Sequence, residues 1–296
     1  MKIARVFPIQ TKATPLDELA YINCEPGLFL PEVDEVHISV AFSWHMRRAE
    51  QLAEAWSVVA PVKIGGPACN KPGSAFVPGM YVRHGYVITS RGCPNNCWFC
   101  SVPKREPRLI ELPIVEGWNV LDDNILACSE RHIRAVFAML KRQRGRRVEF
   151  TGGLEAARLT DWHVDLLADL KPAQMFFAFD TPDDEEPLRT ASSKLLSAGF
   201  TAASHRMRCY VLIGHPKDTF ALAESRLSLC VKLGFTPMAM LWRDKSGVTD
   251  REWRRFQRRW ARPSIVHACA PQKKYGGFTN ANQHGQPETT QVELML

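Results

Sequence analysis

Three cysteines fall within eight residues of this chain, in the segment RGCPNNCWFC that spans residues 91–100. Thiolates are soft ligands, so Cys93, Cys97 and Cys100 could hold a thiophilic metal or cluster, or carry thiol redox chemistry. A structural zinc site is four-coordinate and would need a further Cys or His. The sequence offers no second CxxC and no HxxxH for that purpose. A [4Fe–4S] cluster also normally takes four cysteines. With three, one iron lacks a protein ligand and can bind a substrate or cofactor directly.

The rest of the chain must position that loop. Its 296 residues are 45% hydrophobic and 23% charged, ordinary values for one large α/β domain with a small appendage. No apolar run is long enough to span a bilayer, and MKIARVFPIQTK lacks a secretory h-region, so the expected location is the cytoplasm, with no membrane contact. In a reducing compartment clustered thiols point to ligation or catalysis. The other six cysteines stand alone and read as mostly small core residues; Cys69 and Cys269, in loop-like context, fit that reading less well.

From residue 86 onward, apolar or β-branched runs alternate with helical patterns. The runs are Tyr86–Ser90, Trp118–Leu121, Arg147–Thr151, Met175–Phe179, Arg208–Ile213 and Met238–Trp242. Ser129 opens the clearest helix, with Ile133, Val136, Phe137 and Leu140 on one face, and Thr160 opens another. Further helices are expected near 187–198, 219–233 and 249–261, the last capped by Thr249. A βα series of this kind implies a parallel sheet, open or curled into a partial barrel, with chemistry in the loops that follow the strands. The cysteines follow the first strand of the series. Residues 1–80 read as a small Rossmann-like unit of about three strands with a helix at 46–58, joined by a Pro/Gly-rich linker at 67–80. Residues 81–265 form the βα series, and 266–296 a polar tail.

The pattern C-x3-C-x2-C with an aromatic before the last cysteine, CPNNCWFC, resembles the signature of the radical S-adenosylmethionine (SAM) superfamily. The resemblance implies a partial (β/α)6 barrel in which Cys93, Cys97 and Cys100 hold a [4Fe–4S] cluster. SAM would chelate the open iron, and one electron from a flavodoxin- or ferredoxin-type donor would cleave it to methionine and a 5′-deoxyadenosyl radical. It also implies that Phe99 lines the adenine. The family usually places Gly-Gly-Glu after the second strand to hold the SAM amino group. Here Gly152 and Gly153 follow the third strand and the acid, Glu155, is displaced by one residue. After the second strand stand Asp122 and Asp123, as in members with an N-terminal cobalamin-binding-like domain. Either set could meet the SAM ammonium; the alternatives are a simple tight turn for Gly152–Gly153 and a helix N-terminus carrying favourable acids for Asp122–Asp123. Asp180 is expected at the SAM ribose and Gly214 at the adenine, with His215 a weaker candidate beside it. Arg243 and Asp244 are candidates for substrate contact.

KIGGPA at 63–68 resembles the end of a cobalamin-binding Rossmann domain, but the Asp-x-His-x-x-Gly motif is missing, so no cobalamin is expected. His37 falls within a predicted strand and reads as a packed residue. The net charge of +7 and the basic segments 141–147 and 251–260 suit an anionic substrate. A nucleotide or nucleic-acid base leads that reading, with a peptide or a small metabolite as alternatives. The non-enzymatic alternative is a nucleic-acid-binding protein clipped by zinc.

Overall fold

A computed structural model of the chain describes residues 1–260 apart from Pro72, Ser74 and Lys245. The expected tail, and Cys269 with it, lie outside the described residues.

The first sheet is built from β1 (Ile3–Phe7), β2 (Ala20–Ile22), β3 (Glu35–Ser39) and β4 (Val62–Gly65), with α1 (Met46–Trp56) between the last two. All pairs are parallel, in the order β2-β1-β3-β4. The sequence reading expected three strands here. The fourth, β2, has only three residues, too few to show a period, and exists because its backbone finds β1 through Arg5↔Ala20. Its small core packs Val6, Val36 and Ile38 against Leu52 and Trp56 of α1.

The second sheet begins with β5 (Tyr86–Val87). A two-stranded antiparallel ribbon, β6 (Ser90–Arg91) and β7 (Ile110–Glu111), then brackets the cysteine loop and the short α2 (Val102–Arg105). Next come β8 (Asn119–Val120), α3 (Glu130–Lys141), β9 (Glu149–Phe150) and α4 (Asp161–Leu170). The series ends with β10 (Gln174–Ala178), α5 (Glu185–Ser197), β11 (Met207–Ile213), α6 (Phe220–Lys232), β12 (Thr236–Leu241) and α7 (Arg251–Trp260). The sheet runs β12-β11-β10-β9-β8-β5, every pair parallel, so spatial order follows chain order from one edge to the other. β5 and β12 do not pair among the described residues, which leaves the (β/α)6 arrangement open as a partial barrel.

The helices cover one face. Val136, Phe137 and Leu140 of α3, with Leu188 and Leu195 of α5, share a core with Met175, Phe177, Val211 and Ile213 from the strands. Burying side chains of this size contributes roughly 1.5–3 kcal/mol each. Ser129 and Thr219 cap α3 and α6 by accepting from His132 N and Leu222 N. The cap of α7 falls one residue later than expected: Asp250 rather than Thr249 accepts from Glu252 N and Trp253 N, at 2.7 and 3.0 Å. A carboxylate is the better acceptor at that end of a helix. Among the described residues no helix is long and apolar enough to cross a membrane.

Candidate functional site

The cysteine loop lies past the C-terminal end of β5, between the ribbon strands, and two residues that follow the neighbouring β8 tie it down. Asp123 accepts from Gly92 N at 2.9 Å and also from the Arg105 guanidinium, with both side chains largely buried. One carboxylate thereby fastens the residue before Cys93 to the helix after Cys100. Gly92 has to be glycine: φ is +84°, and a Cβ would lie 2.1 Å from the Arg108 carbonyl oxygen. Asn124, 4% exposed, donates from Nδ2 to the Cys93 sulfur at 3.3 Å and to Glu155 Oε2 at 2.6 Å. Arg158 holds the same Glu155 oxygen at 2.6 Å.

Asp122 is turned away from the loop. It is 1% exposed and accepts from Thr89 N (2.6 Å), Thr89 Oγ1 (2.5 Å) and Ser90 Oγ (2.8 Å). Burial pushes its pKa up and these bonds pull it back. Of the expected Asp pair, then, one member locks the β5–β6 crossing and the other anchors the loop. Neither carboxylate is left free for a ligand ammonium. The sequence could not show this, because the partners lie 31–33 residues away along the chain.

The Gly152–Gly153 turn follows β9. A Cβ on Gly152 would lie 2.3 Å from the Asp122 carbonyl oxygen, so close packing against the β8 end requires that glycine. Gly153, at φ +111°, has open space on its Cβ side. Phe99 packs edge-on against Trp98, which in turn meets the His215 ring at 5.4 Å. Gly214, at φ +72°, is backed by Leu241 and by Trp253 of α7, and its N–H donates to Asp218 at 2.9 Å. Protein packing alone therefore accounts for the glycine there.

The two candidates after β12 have partners of their own. The Arg243 guanidinium lies over Trp44 of the first unit, 4.9 Å from the ring centre. Asp244 is exposed and closes its own turn, accepting from Ser246 N and Oγ at 2.9 and 2.5 Å.

The surroundings fit a group that takes thiolates and brings positive charge. Asn95 N and Val102 N point at the Cys93 and Cys100 sulfurs, at 3.5 and 3.4 Å, as donors that favour ionised sulfur. Burial, then the neighbouring thiols and Asp184 and Asp180, push the Cys97 thiol up to about 11, and burial raises Cys100 too. An iron–sulfur core would reverse that balance, since coordinated thiols ionise outright. Among the described residues no three His, Cys, Asp or Glu side chains, the three cysteines included, are gathered in ligand geometry.

Asp180, at the end of β10, accepts from Leu212 N at 2.7 Å, and burial lifts its pKa to about 7. Between pH 4 and 7 the folded chain then keeps a proton that the unfolded chain has lost, so stability falls as pH rises through that window. Asp180→Asn is expected to remove this slope, gaining roughly 2–4 kcal/mol relative to the parent between pH 4 and 8. Urea midpoints of the iron-free chain at both pH values check it; parallel profiles for parent and variant would contradict it.

No protein-family model and no curated protein matches the sequence. Solved structures do match. One is the radical S-adenosylmethionine methyltransferase TsrM from Kitasatospora setae with cobalamin and a [4Fe–4S] cluster bound. It shows a TM-score of 0.53 at 12% identity, over 71% of this chain and 64% of that one. A second TsrM structure from Kitasatospora setae, with tryptophan substrate and the SAM analogue aza-SAM, gives 0.53 at 11% identity over 72% and 62%. The chain thus spans a little under two thirds of the length of these proteins. At such identity the likeness is one of architecture: this chain shares its fold with the TsrM structures over about 71–72% of its length.

Proposed function

We propose that the chain is a radical SAM enzyme in which Cys93, Cys97 and Cys100 hold one [4Fe–4S] cluster. The observation that carries this is the cysteine loop itself. It has three thiols, two of them receiving N–H bonds, and Asp123 and Asn124 secure it at the C-terminal end of an open parallel sheet. When bound and reduced, such a cluster supplies the electron that splits SAM into methionine and the 5′-deoxyadenosyl radical, which takes a hydrogen atom from the substrate. Of the two candidate sets for the SAM amino group, the one after β9 is favoured. Gly153 borders open space, Asn124 Oδ1 is buried without a partner, and Glu155 lies beside it, whereas Asp122 is committed to Thr89 and Ser90 and Asp123 to Gly92 and Arg105. The electron would come from a flavodoxin or ferredoxin.

Our leading substrate class is a nucleotide or nucleic-acid base, supported by the net charge of +7 and by Arg251, Arg254, Arg255, Arg258 and Arg259 exposed on α7. Cobalamin has no place in the proposal, although one TsrM structure contains it. His37 has both ring nitrogens engaged, by Tyr81 at 2.5 Å and Glu35 at 2.8 Å, and the segment after β1 contains no histidine. The test is anaerobic incubation of the reconstituted, dithionite-reduced protein with SAM. We expect 5′-deoxyadenosine, in an amount that added hydroxocobalamin does not change. Intact SAM would contradict the proposal, and a stoichiometric corrin complex would contradict its cobalamin-free form.

A further inference from the structure

The face of the second sheet opposite the helices carries a side-chain cluster that the SAM chemistry leaves unused. Along β11 the side chains alternate. Met207, Cys209, Val211 and Ile213 are buried in the helix-side core, while Arg208, Tyr210 and Leu212 are half-buried on the other face. Register sets Arg208 beside Phe176 and Tyr210 beside Ala178. The Phe176 and Tyr210 rings stack at 4.4 Å and 16°. The Tyr210 hydroxyl donates to the Thr151 carbonyl at 3.3 Å, which fixes the ring. The Arg208 guanidinium stands 5.8 Å from the Phe176 ring centre.

Arg208 has cationic character without a counter-ion. Its Nε is buried with no hydrogen-bond partner, and among the described residues no carboxylate forms an ion pair with it. The charge of Glu149 reaches Arg208, but its Oε2 receives Asn119 Nδ2 at 3.1 Å, and Asn119 is itself fixed by Thr151. A half-buried guanidinium left unpaired is unfavourable to folding. Its planar fork suits a carboxylate or phosphate, and the adjacent stacked rings offer a flat apolar wall.

We propose that Arg208 seats an anionic group of the substrate, a carboxylate or a phosphate, with the Phe176–Tyr210 pair walling the adjoining planar part. This rests on the radical SAM reading for the identity of the ligand as substrate, but binding can be measured without turnover. The probes are phenyl phosphate and phenylacetate, titrated calorimetrically into the full chain. The parent is expected to bind at least one, the preferred probe telling phosphate from carboxylate. Arg208→Gln should weaken that binding by about 10- to 100-fold. Arg208→Lys should fall between, keeping the charge and losing the fork, and Glu149→Gln should tighten binding by removing a nearby negative charge. Failure of the parent to bind either probe, or Arg208→Gln or Glu149→Gln binding like the parent, overturns the proposal. Iron content and SAM cleavage, read on the same preparations, keep the two ideas apart. A chain that cleaves SAM but ignores both probes sinks the Arg208 site alone. One that binds a probe through Arg208 yet holds no iron sinks the radical SAM reading alone.

Discussion

Asp122→Ala is expected to lower the unfolding midpoint of the iron-free chain by about 6–12 °C, from a loss of about 3 kcal/mol. The carboxylate receives two hydroxyls and one backbone N–H in a site that water does not reach. Removing it takes the acceptor from three buried donors, of which Thr89 Oγ1 keeps His132 Nε2 within 3.3 Å, and the penalty for a buried unsatisfied group exceeds the net value of an ordinary hydrogen bond. The loss is tempered because burying the carboxylate is itself unfavourable, as its raised pKa reflects. Asp122→Asn, which keeps an acceptor at Oδ1, should be milder. A thermal melt decides: an unchanged midpoint together with weakened SAM binding would mean that Asp122 faces the ligand after all.

The second large effect is at the next residue. Asp123→Ala removes the acceptor shared by Gly92 N and Arg105, and leaves the Arg105 guanidinium without its partner. Charge-assisted bonds of this kind contribute about 1.5–3 kcal/mol each, so the loop loses roughly 2–4 kcal/mol of ordering. Two consequences should appear together. Cleavage by trypsin at Arg91 and Arg105 should speed up severalfold, and iron retained after reconstitution should fall below about half of the parent's, given that loss of ordering. Asp123→Asn should be intermediate. If iron content stayed intact and only SAM affinity fell, the residue would be a ligand contact and not an anchor.

That contrast shows where the sequence was readable. The cysteine spacing, its place after a strand, and the βα alternation from residue 86 onward lead to the fold without any coordinates, since they rest on local patterns of two and 3.6 residues. The roles of Asp122 and Asp123 do not. Identical neighbours in the segment after β8, they point at Thr89 and at Gly92, and which of them meets the cysteine loop depends on contacts with residues more than 30 positions away. The role of Asn124 is hidden in the sequence for the same reason. Its contact with Cys93 comes from the adjacency of β5 and β8, and only its position directly after the Asp pair hinted at it. Arg243 was legible as the end of the sixth strand, yet Trp44, from a segment 199 residues earlier, takes its guanidinium. Arg208 and Tyr210 lie in a run that reads simply as a strand; the Phe176 stack becomes visible only once β10 and β11 are in register.

The measurement that bears most directly on the central claim is metal and sulfide analysis after anaerobic reconstitution, on the parent and on Cys93→Ala, Cys97→Ala and Cys100→Ala. The expected result is about four irons and four sulfides per parent chain, with absorbance near 400 nm. Each single variant should lose most of that iron, and the triple variant all of it. Stoichiometric zinc in place of iron, about eight irons per chain, or a cluster that survives in the triple variant would contradict the account.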